Sequence, residues 1–184
     1  MKRNYLRYTL LCGVTLFAAV ALALAGEDKY ELKVPGGLAF SEFKGYEDWP
    51  AISISRNEKA VAVILGNAAM IEAYKAGIPA NGQPVPDGAK MAKIHWVPKK
   101  NQYFPDATVP GEMVNVDFMV KDSKRFADSG GWGYAVFDYD AATDSFKPGT
   151  KASMPPQGND AKCGFTCHTA AKSRDYVFTE YGRR

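Results

Sequence analysis

Two stretches that alternate strictly between apolar and mixed side chains constrain the fold of this chain more than any other feature. Residues 89–97 and 113–120 each place every second side chain on one face, as β-strands do. The apolar faces consist of Ala92, Ile94 and Trp96 in the first stretch, and of Val114, Val116, Phe118 and Val120 in the second. The opposite faces consist of Met91, Lys93, His95 and Val97, and of Met113, Asn115, Asp117 and Met119. The alternation predicts two strands whose apolar faces belong to one core.

The charged side chains on the mixed faces have two interpretations. A charged residue on an antiparallel strand ordinarily lies on a solvated outer face, and this is the default for Lys93 and Asp117. A sheet with its core on one side and a cofactor on the other would show the same pattern. His95 is then a surface residue, a donor in a pocket or a metal ligand, and the surface is favoured.

The rest of the pattern predicts a β-rich α+β fold. Further strands are expected over residues 59–65 and 133–139, and Pro98 is expected to end the strand that begins at residue 89. A short helix over residues 68–76 has Asn67 as its cap and Gly77 as its stop. Residues 41–49 and the start of the segment 160–184 are also expected to be helical. The architecture is thus an antiparallel sheet of four to five strands with short helices.

The N-terminus resembles a secretory signal peptide. Three basic residues, Lys2, Arg3 and Arg7, precede an uncharged stretch that ends in the small-x-small sequence of residues 23–25. We expect cleavage after Ala25, which leaves a domain of residues 26–184 outside the cytoplasm; an uncleaved anchor is the alternative. The leader holds three of the 23 basic residues, so 20 basic and 20 acidic residues remain. This balance gives no indication of nucleic-acid binding.

The cysteines point to a covalently bound cofactor. Without the leader the chain retains Cys163 and Cys167, and His168 directly follows the second. C-x-x-C-H is the signature of c-type haem attachment, in which two thiols bond the haem vinyl groups and the histidine binds iron. This chain has one additional residue between the cysteines, but residues i and i+4 of a helix still share a face. A disulfide and a zinc site are the alternatives.

The position of this motif indicates an open iron site. Sixteen residues follow His168, and none of them is methionine. The methionines upstream are most simply core side chains. No sequence feature demands a sixth protein ligand, so we expect an open position that binds a small molecule.

A series of short motifs, in order along the chain, resembles the cytochrome P-460 family, which also holds the cytochromes c′-β. The resemblance covers residues 49–179. The motifs are Trp49-Pro50, Gly66-Asn67, residues 87–93 (DGAKMAK), residues 120–126 (VKDSKRF), Gly131-Trp132-Gly133, the cysteine motif and residues 175–179 (DYVFT).

The resemblance implies a β-rich, often homodimeric fold with one haem c on a C-terminal helix. It implies that Cys163 and Cys167 attach the haem and that His168 is the proximal ligand. In hydroxylamine-oxidising members a strand lysine is bonded to a porphyrin meso carbon, and Lys93 matches it. A pocket carboxylate accepts protons there; Asp117 matches it, with Asp in place of Glu.

The expected function is that of a periplasmic monohaem cytochrome. It binds small nitrogen ligands at an open iron position and oxidises hydroxylamine, and a soluble periplasmic protein accepts the electrons. After signal cleavage no membrane association is expected. One alternative is a non-catalytic cytochrome of the c′-β kind that binds nitric oxide. The other is an electron-transfer cytochrome c in which a methionine or His95 closes the sixth position.

Overall fold

One antiparallel sheet organises the computed structural model, which describes residues 28–36, 38–152 and 164–183. Within these residues six strands follow one another across the sheet in chain order. They are β1 (Ala51–Arg56), β2 (Val61–Gly66), β3 (Lys90–Lys100), β4 (Thr108–Lys121), β5 (Trp132–Asp140) and β6 (Ser145–Pro148). The α-helices are α1 (Ala68–Lys75) and α2 (Phe165–His168). Short 3₁₀ segments span Lys29–Glu31, Phe40–Phe43, Tyr46–Asp48, Ala127–Ser129 and Thr169–Arg174.

The α+β class and the antiparallel sheet are confirmed, but the predicted number of strands is too low. The four predicted strands correspond to β2, β3, β4 and β5, and the sheet adds an edge strand at each side. Strand β1 contains a register shift between Ala51 and Ser53, and Ile54 is 74% exposed. Strand β6 has only four residues. Short or bulged edge strands bury few side chains and therefore leave a weak pattern in the sequence.

Strand β3 does not end at Pro98, contrary to the prediction. It continues to Lys100, and Pro98 lies opposite Pro110 of β4 after a register shift that follows Trp96. A proline has no N–H to donate to the ladder, and strands tolerate it where the pairing is irregular. The hairpin between β3 and β4 is therefore longer than predicted.

The predicted helices are confirmed in part. The side chain of Asn67 caps α1 by accepting from the Met70 N–H at 3.1 Å, and Gly77 follows the helix at a φ of +81°. Residues 41–49 form two 3₁₀ segments rather than one helix, and Gly45 lies between them at a φ of +81°. The predicted C-terminal haem-binding helix is not seen as such, because α2 has one α-helical turn before the backbone tightens into a 3₁₀ segment.

The two faces of the sheet carry separate apolar cores. The predicted apolar face of β4, with Val116 and Phe118, packs against the N-terminal segment (residues 28–36 and 38–50). There the Phe43 ring stacks on the Phe118 ring at 4.0 Å. Met91 and Met119 from the mixed faces pack with α1 and the C-terminal segment (residues 164–183). The mixed faces are therefore covered, and the default of a fully solvated outer face is wrong.

Two predicted features lie outside the described residues: the signal peptide of residues 1–25, and Cys163. Within the described part of the chain, no helix combines the length and apolar character needed to span a membrane.

Candidate functional site

A cavity of about 450 Å³ opens on the sheet face that carries Lys93 and Asp117. Its opposite wall comes from the C-terminal segment, which contributes His168 and residues 177–180. Cavities of this size hold drug-sized ligands and cofactors. The remaining wall is largely apolar and includes the side chains of Ile64, Met91, Met119, Tyr134 and Val136. The structure thus brings together three of the five residues predicted for the site.

The pairing of β3 with β4 places Lys93 beside Asp117. The two residues are directly opposite each other in the antiparallel register, so their side chains lie on the same face. Ile64 of β2 is opposite Lys93 on the other side. The cavity floor is therefore made by central strands, whose ladder hydrogen bonds hold the two charged residues at a defined spacing.

The Asp117 carboxylate is oriented by two neighbouring side chains. The Asn115 amide donates to Oδ1 at 2.6 Å, and His95 Nε2 lies 3.0 Å from Oδ2. A carboxylate oxygen accepts hydrogen bonds, so His95 Nε2 is the donor in this contact. The side chains of His95 and Asp117 are only 14% and 12% exposed. The surface position favoured for His95 is therefore wrong, and it is a donor to the pocket carboxylate.

His168 faces the same cavity from the end of α2, and its ring is oriented by three contacts. Nδ1 lies 2.6 Å from the carbonyl oxygen of Tyr176. A carbonyl can only accept, so Nδ1 carries the proton and the lone pair of the neutral ring is on Nε2. The Tyr134 and Phe178 rings lie 5.2 Å and 5.0 Å from the imidazole. A histidine that binds a metal ion typically donates its other N–H in this way.

Tyr134 contributes a neutral phenol to the cavity wall. Burial raises the pKa of its hydroxyl far above the usual range, and the neighbouring Tyr176 and Asp175 add to the rise. The hydroxyl therefore stays protonated at physiological pH, so Tyr134 is no proton acceptor beside His168.

These residues fit a haem. The imidazole has its lone pair on Nε2, the cavity walls are mainly apolar, and the exposed Cys167 directly precedes His168. This donor set would hold a haem iron through the imidazole nitrogen. Covalent attachment through Cys163 and Cys167 remains a prediction, and Cys163 lies outside the described residues.

The family model described as Cytochrome P460 matches residues 43–179, which is well over half of the chain. The chain belongs to this family. Cytochrome P-460 family membership makes it a haem-binding cytochrome, in agreement with the fit of the cavity. The match begins at Phe43 in the N-terminal segment and ends at Thr179, so it includes every strand of the sheet. No curated protein matches the chain.

Sequence reasoning missed the partners of the predicted site residues. Asn115 shares a strand face with Asp117, and His95 is directly opposite Asn115, so strand parity could have grouped all three. The Tyr176 carbonyl carries no such signal, because its direction depends on backbone angles rather than on a side chain.

Proposed function

We propose that this chain is an exported monohaem cytochrome that binds small nitrogen ligands at an open iron position and oxidises hydroxylamine. His168 binds the iron, and Cys163 and Cys167 attach the haem. The observation that carries the proposal is the cavity into which His168, Lys93 and Asp117 all project, with the His168 ring oriented for metal binding.

Asp117 is the proton acceptor. Bound haem supplies a coordination position for the substrate nitrogen and a path for the electrons. Hydroxylamine gives up protons as it is oxidised, and a carboxylate beside it accepts them as a general base. Each carboxylate oxygen has two lone pairs, so Asp117 can accept a proton while Asn115 and His95 hold its orientation.

Lys93 is the proposed third attachment point to the haem. It lines the cavity directly opposite Asp117. By sequence resemblance it matches the lysine that hydroxylamine-oxidising members of the family bond to the porphyrin. Its placement on a central strand restricts its side chain to the cavity face. A bond there would distort the macrocycle, which is one way in which a protein tunes a haem.

Export belongs to the same proposal. The signal peptide of residues 1–25 directs the chain to the periplasm, where a soluble protein accepts the electrons and a homodimer forms.

The optical spectrum of the reduced protein separates this function from its alternatives. A ferrous Soret band displaced far to the red, with broad features, indicates a haem bonded to Lys93 and supports hydroxylamine oxidation. An ordinary five-coordinate spectrum favours nitric oxide binding. Sharp low-spin α and β bands indicate a closed sixth position and electron transfer.

Replacement of the proton acceptor tests the catalytic role. We expect Asp117→Asn to lower the rate of hydroxylamine oxidation by about 10²–10⁴-fold, the usual contribution of a positioned base. Ligand binding, followed by the Soret shift, should persist because the iron site is intact. Asp106→Asn, an exposed change in the β3–β4 hairpin, is the matched control. Turnover at the native rate in Asp117→Asn contradicts the assignment.

A further inference from the structure

Three motifs of the chain meet behind His168, and the proposed function uses none of them. Lys121 comes from residues 120–126, Trp132 from the Gly131-Trp132-Gly133 sequence, and the pair Asp175-Tyr176 from residues 175–179. All four residues connect to the carbonyl that accepts from His168. Their contacts indicate what the motifs do.

The Tyr176 carbonyl is presented by a strained turn. Asp175 and Tyr176 have φ angles of +49° and +63°, a left-handed conformation that is uncommon for residues with a side chain. The Tyr176 N–H donates to the Ala171 carbonyl at 2.9 Å. Such a conformation persists only where the surrounding structure determines it.

The surrounding structure determines it through a buried ion pair. Lys121 Nζ donates to both carboxylate oxygens of Asp175, at 2.8 and 2.9 Å, and to the Gly130 carbonyl at 3.0 Å. The Val85 N–H donates to Asp175 Oδ2 at 2.8 Å. The Lys121 and Asp175 side chains are 7% and 14% exposed. The charges are thus almost removed from water, and both groups have several partners.

The backbone of Asp175 is held as firmly as its side chain. The indole N–H of the fully buried Trp132 donates to the Asp175 carbonyl at 2.8 Å, and Lys121 Nζ lies 5.2 Å from the centre of the same indole. The Tyr176 ring packs so closely on Gly130 that a Cβ there would lie 2.2 Å from it. The side chain and the carbonyl of Asp175 and the ring of Tyr176 are therefore each restrained.

A buried ion pair is weak support for stability, because desolvation offsets much of the Coulomb attraction. We propose that the Lys121–Asp175 pair is a positioning device for the proximal histidine. It holds the Asp175-Tyr176 turn so that the Tyr176 carbonyl accepts a short hydrogen bond from His168 Nδ1. The inference rests on the proposed function in one respect, namely that His168 binds the iron.

The device acts on the haem through the histidine. A strong hydrogen bond from Nδ1 makes the imidazole a better electron donor at Nε2. Stronger donation favours ferric over ferrous iron and lowers the reduction potential. Weakening the pair lengthens the Nδ1–carbonyl contact and reverses both effects.

Asp175→Asn tests the device in the haem-loaded protein. Asparagine tolerates the left-handed conformation, so the turn stays accessible while the charge on Lys121 loses its partner. We expect the iron–histidine stretching band in the resonance Raman spectrum of the ferrous protein to move to lower frequency. The reduction potential should become more positive. Trp132→Phe, which removes the indole N–H from the Asp175 carbonyl, should shift both in the same direction.

Glu42→Gln is the matched control. It removes the charge from another ion pair, in which Arg125 Nη1 lies 2.8 Å from Glu42 Oε2. Glu42 belongs to the N-terminal segment, which covers the opposite face of the sheet. The control should leave the band and the potential unchanged. An unchanged band and potential in either Asp175→Asn or Trp132→Phe, with native far-UV circular dichroism, overturns the proposal.

The wild-type protein provides a test that does not depend on how the variants fold. The short Nδ1–carbonyl bond predicts an iron–histidine band at higher frequency than that of a haem with an imidazole ligand whose other nitrogen has no hydrogen-bond acceptor. A band at or below that reference frequency overturns the positioning role. Absence of any iron–histidine band in the five-coordinate ferrous protein overturns the proposed function instead, since His168 is then not the ligand.

Discussion

At the scale of single residues, the site depends on side chains whose orientation is fixed by neighbouring groups. Asp117 takes hydrogen bonds from Asn115 and His95, and His168 is directed by a backbone carbonyl. None of these partners needs to react. Their effect is to restrict the reacting groups to one geometry, which matters because a displacement of about 1 Å can cost two orders of magnitude in rate.

Gly133 shows how closely residues pack on the sheet face opposite the cavity. It lies in β5 between Trp132 and Tyr134, and a Cβ there would come within 2.4 Å of the buried Phe126 ring. We expect Gly133→Ala to lower the free energy of unfolding by about 1–3 kcal/mol through overpacking. Urea denaturation followed by far-UV circular dichroism measures the loss.

Gly182→Ala is the comparison for this change, because nothing lies within 4 Å of a Cβ at that position. It should leave the free energy of unfolding within about 0.5 kcal/mol of the wild type. Equal stability of the two variants would show that the Phe126 ring can move aside without lowering the free energy of unfolding.

At the scale of elements, side chains in the connections hold neighbouring strands and helices together. Asn67 directly follows β2, caps α1 and contacts the start of β3. Its Oδ1 accepts from the Met70 and Lys90 N–H groups, and its amide donates to the Gly88 carbonyl. This explains why the Gly66-Asn67 and Asp87-Gly88 motifs occur together. They form one junction beside the strand that bears Lys93.

Replacing Asn67 separates the two functions of its side chain. Asn67→Ala removes a helix cap and leaves the Lys90 N–H without its acceptor, so the free energy of unfolding should fall by about 2 kcal/mol. Asn67→Asp keeps both acceptor contacts but replaces the donor to the Gly88 carbonyl with a carboxylate oxygen, so a loss of about 1 kcal/mol, smaller than that of the Ala variant, is expected. Thermal and urea unfolding of both variants show which one loses more free energy of unfolding. An Asp variant as unstable as the Ala variant would contradict the capping role.

At the scale of the whole molecule, alternation along β3 and β4 predicted which side chains of each strand share a face. It could not show that the mixed face is covered, because α1 and the C-terminal segment reach it through contacts distant in sequence, such as the Tyr74 hydroxyl on the Thr179 carbonyl at 3.0 Å. The same limit explains the error on His95. Its neighbours Asn115 and Asp117 lie some twenty residues away, and only the register brings them together.

The N-terminal segment closes the other face of the sheet, and a bidentate ion pair attaches it there. Arg125 donates to both carboxylate oxygens of Glu42, at 2.8 and 3.0 Å, and the Ala39 N–H donates to Oε1 at 3.0 Å. Burial raises the pKa of Glu42, but the hydrogen bonds from Arg125 and Ala39 and the charges of Arg125 and Lys90 outweigh it. The net effect is a pKa below the usual value of 4.5.

A lowered pKa in the folded state makes the contribution of Glu42 depend on pH with a definite sign. The unfolded chain binds the proton more tightly, so the stabilisation is complete above pH 4.5 and is lost as the pH falls through the folded-state pKa. We expect the wild type to unfold at higher urea concentration than Glu42→Gln at pH 7. The difference should shrink below pH 4.5. Glu72→Gln, from an exposed pair with Lys75, should show little difference at either pH, and a constant gap for Glu42→Gln would contradict the linkage.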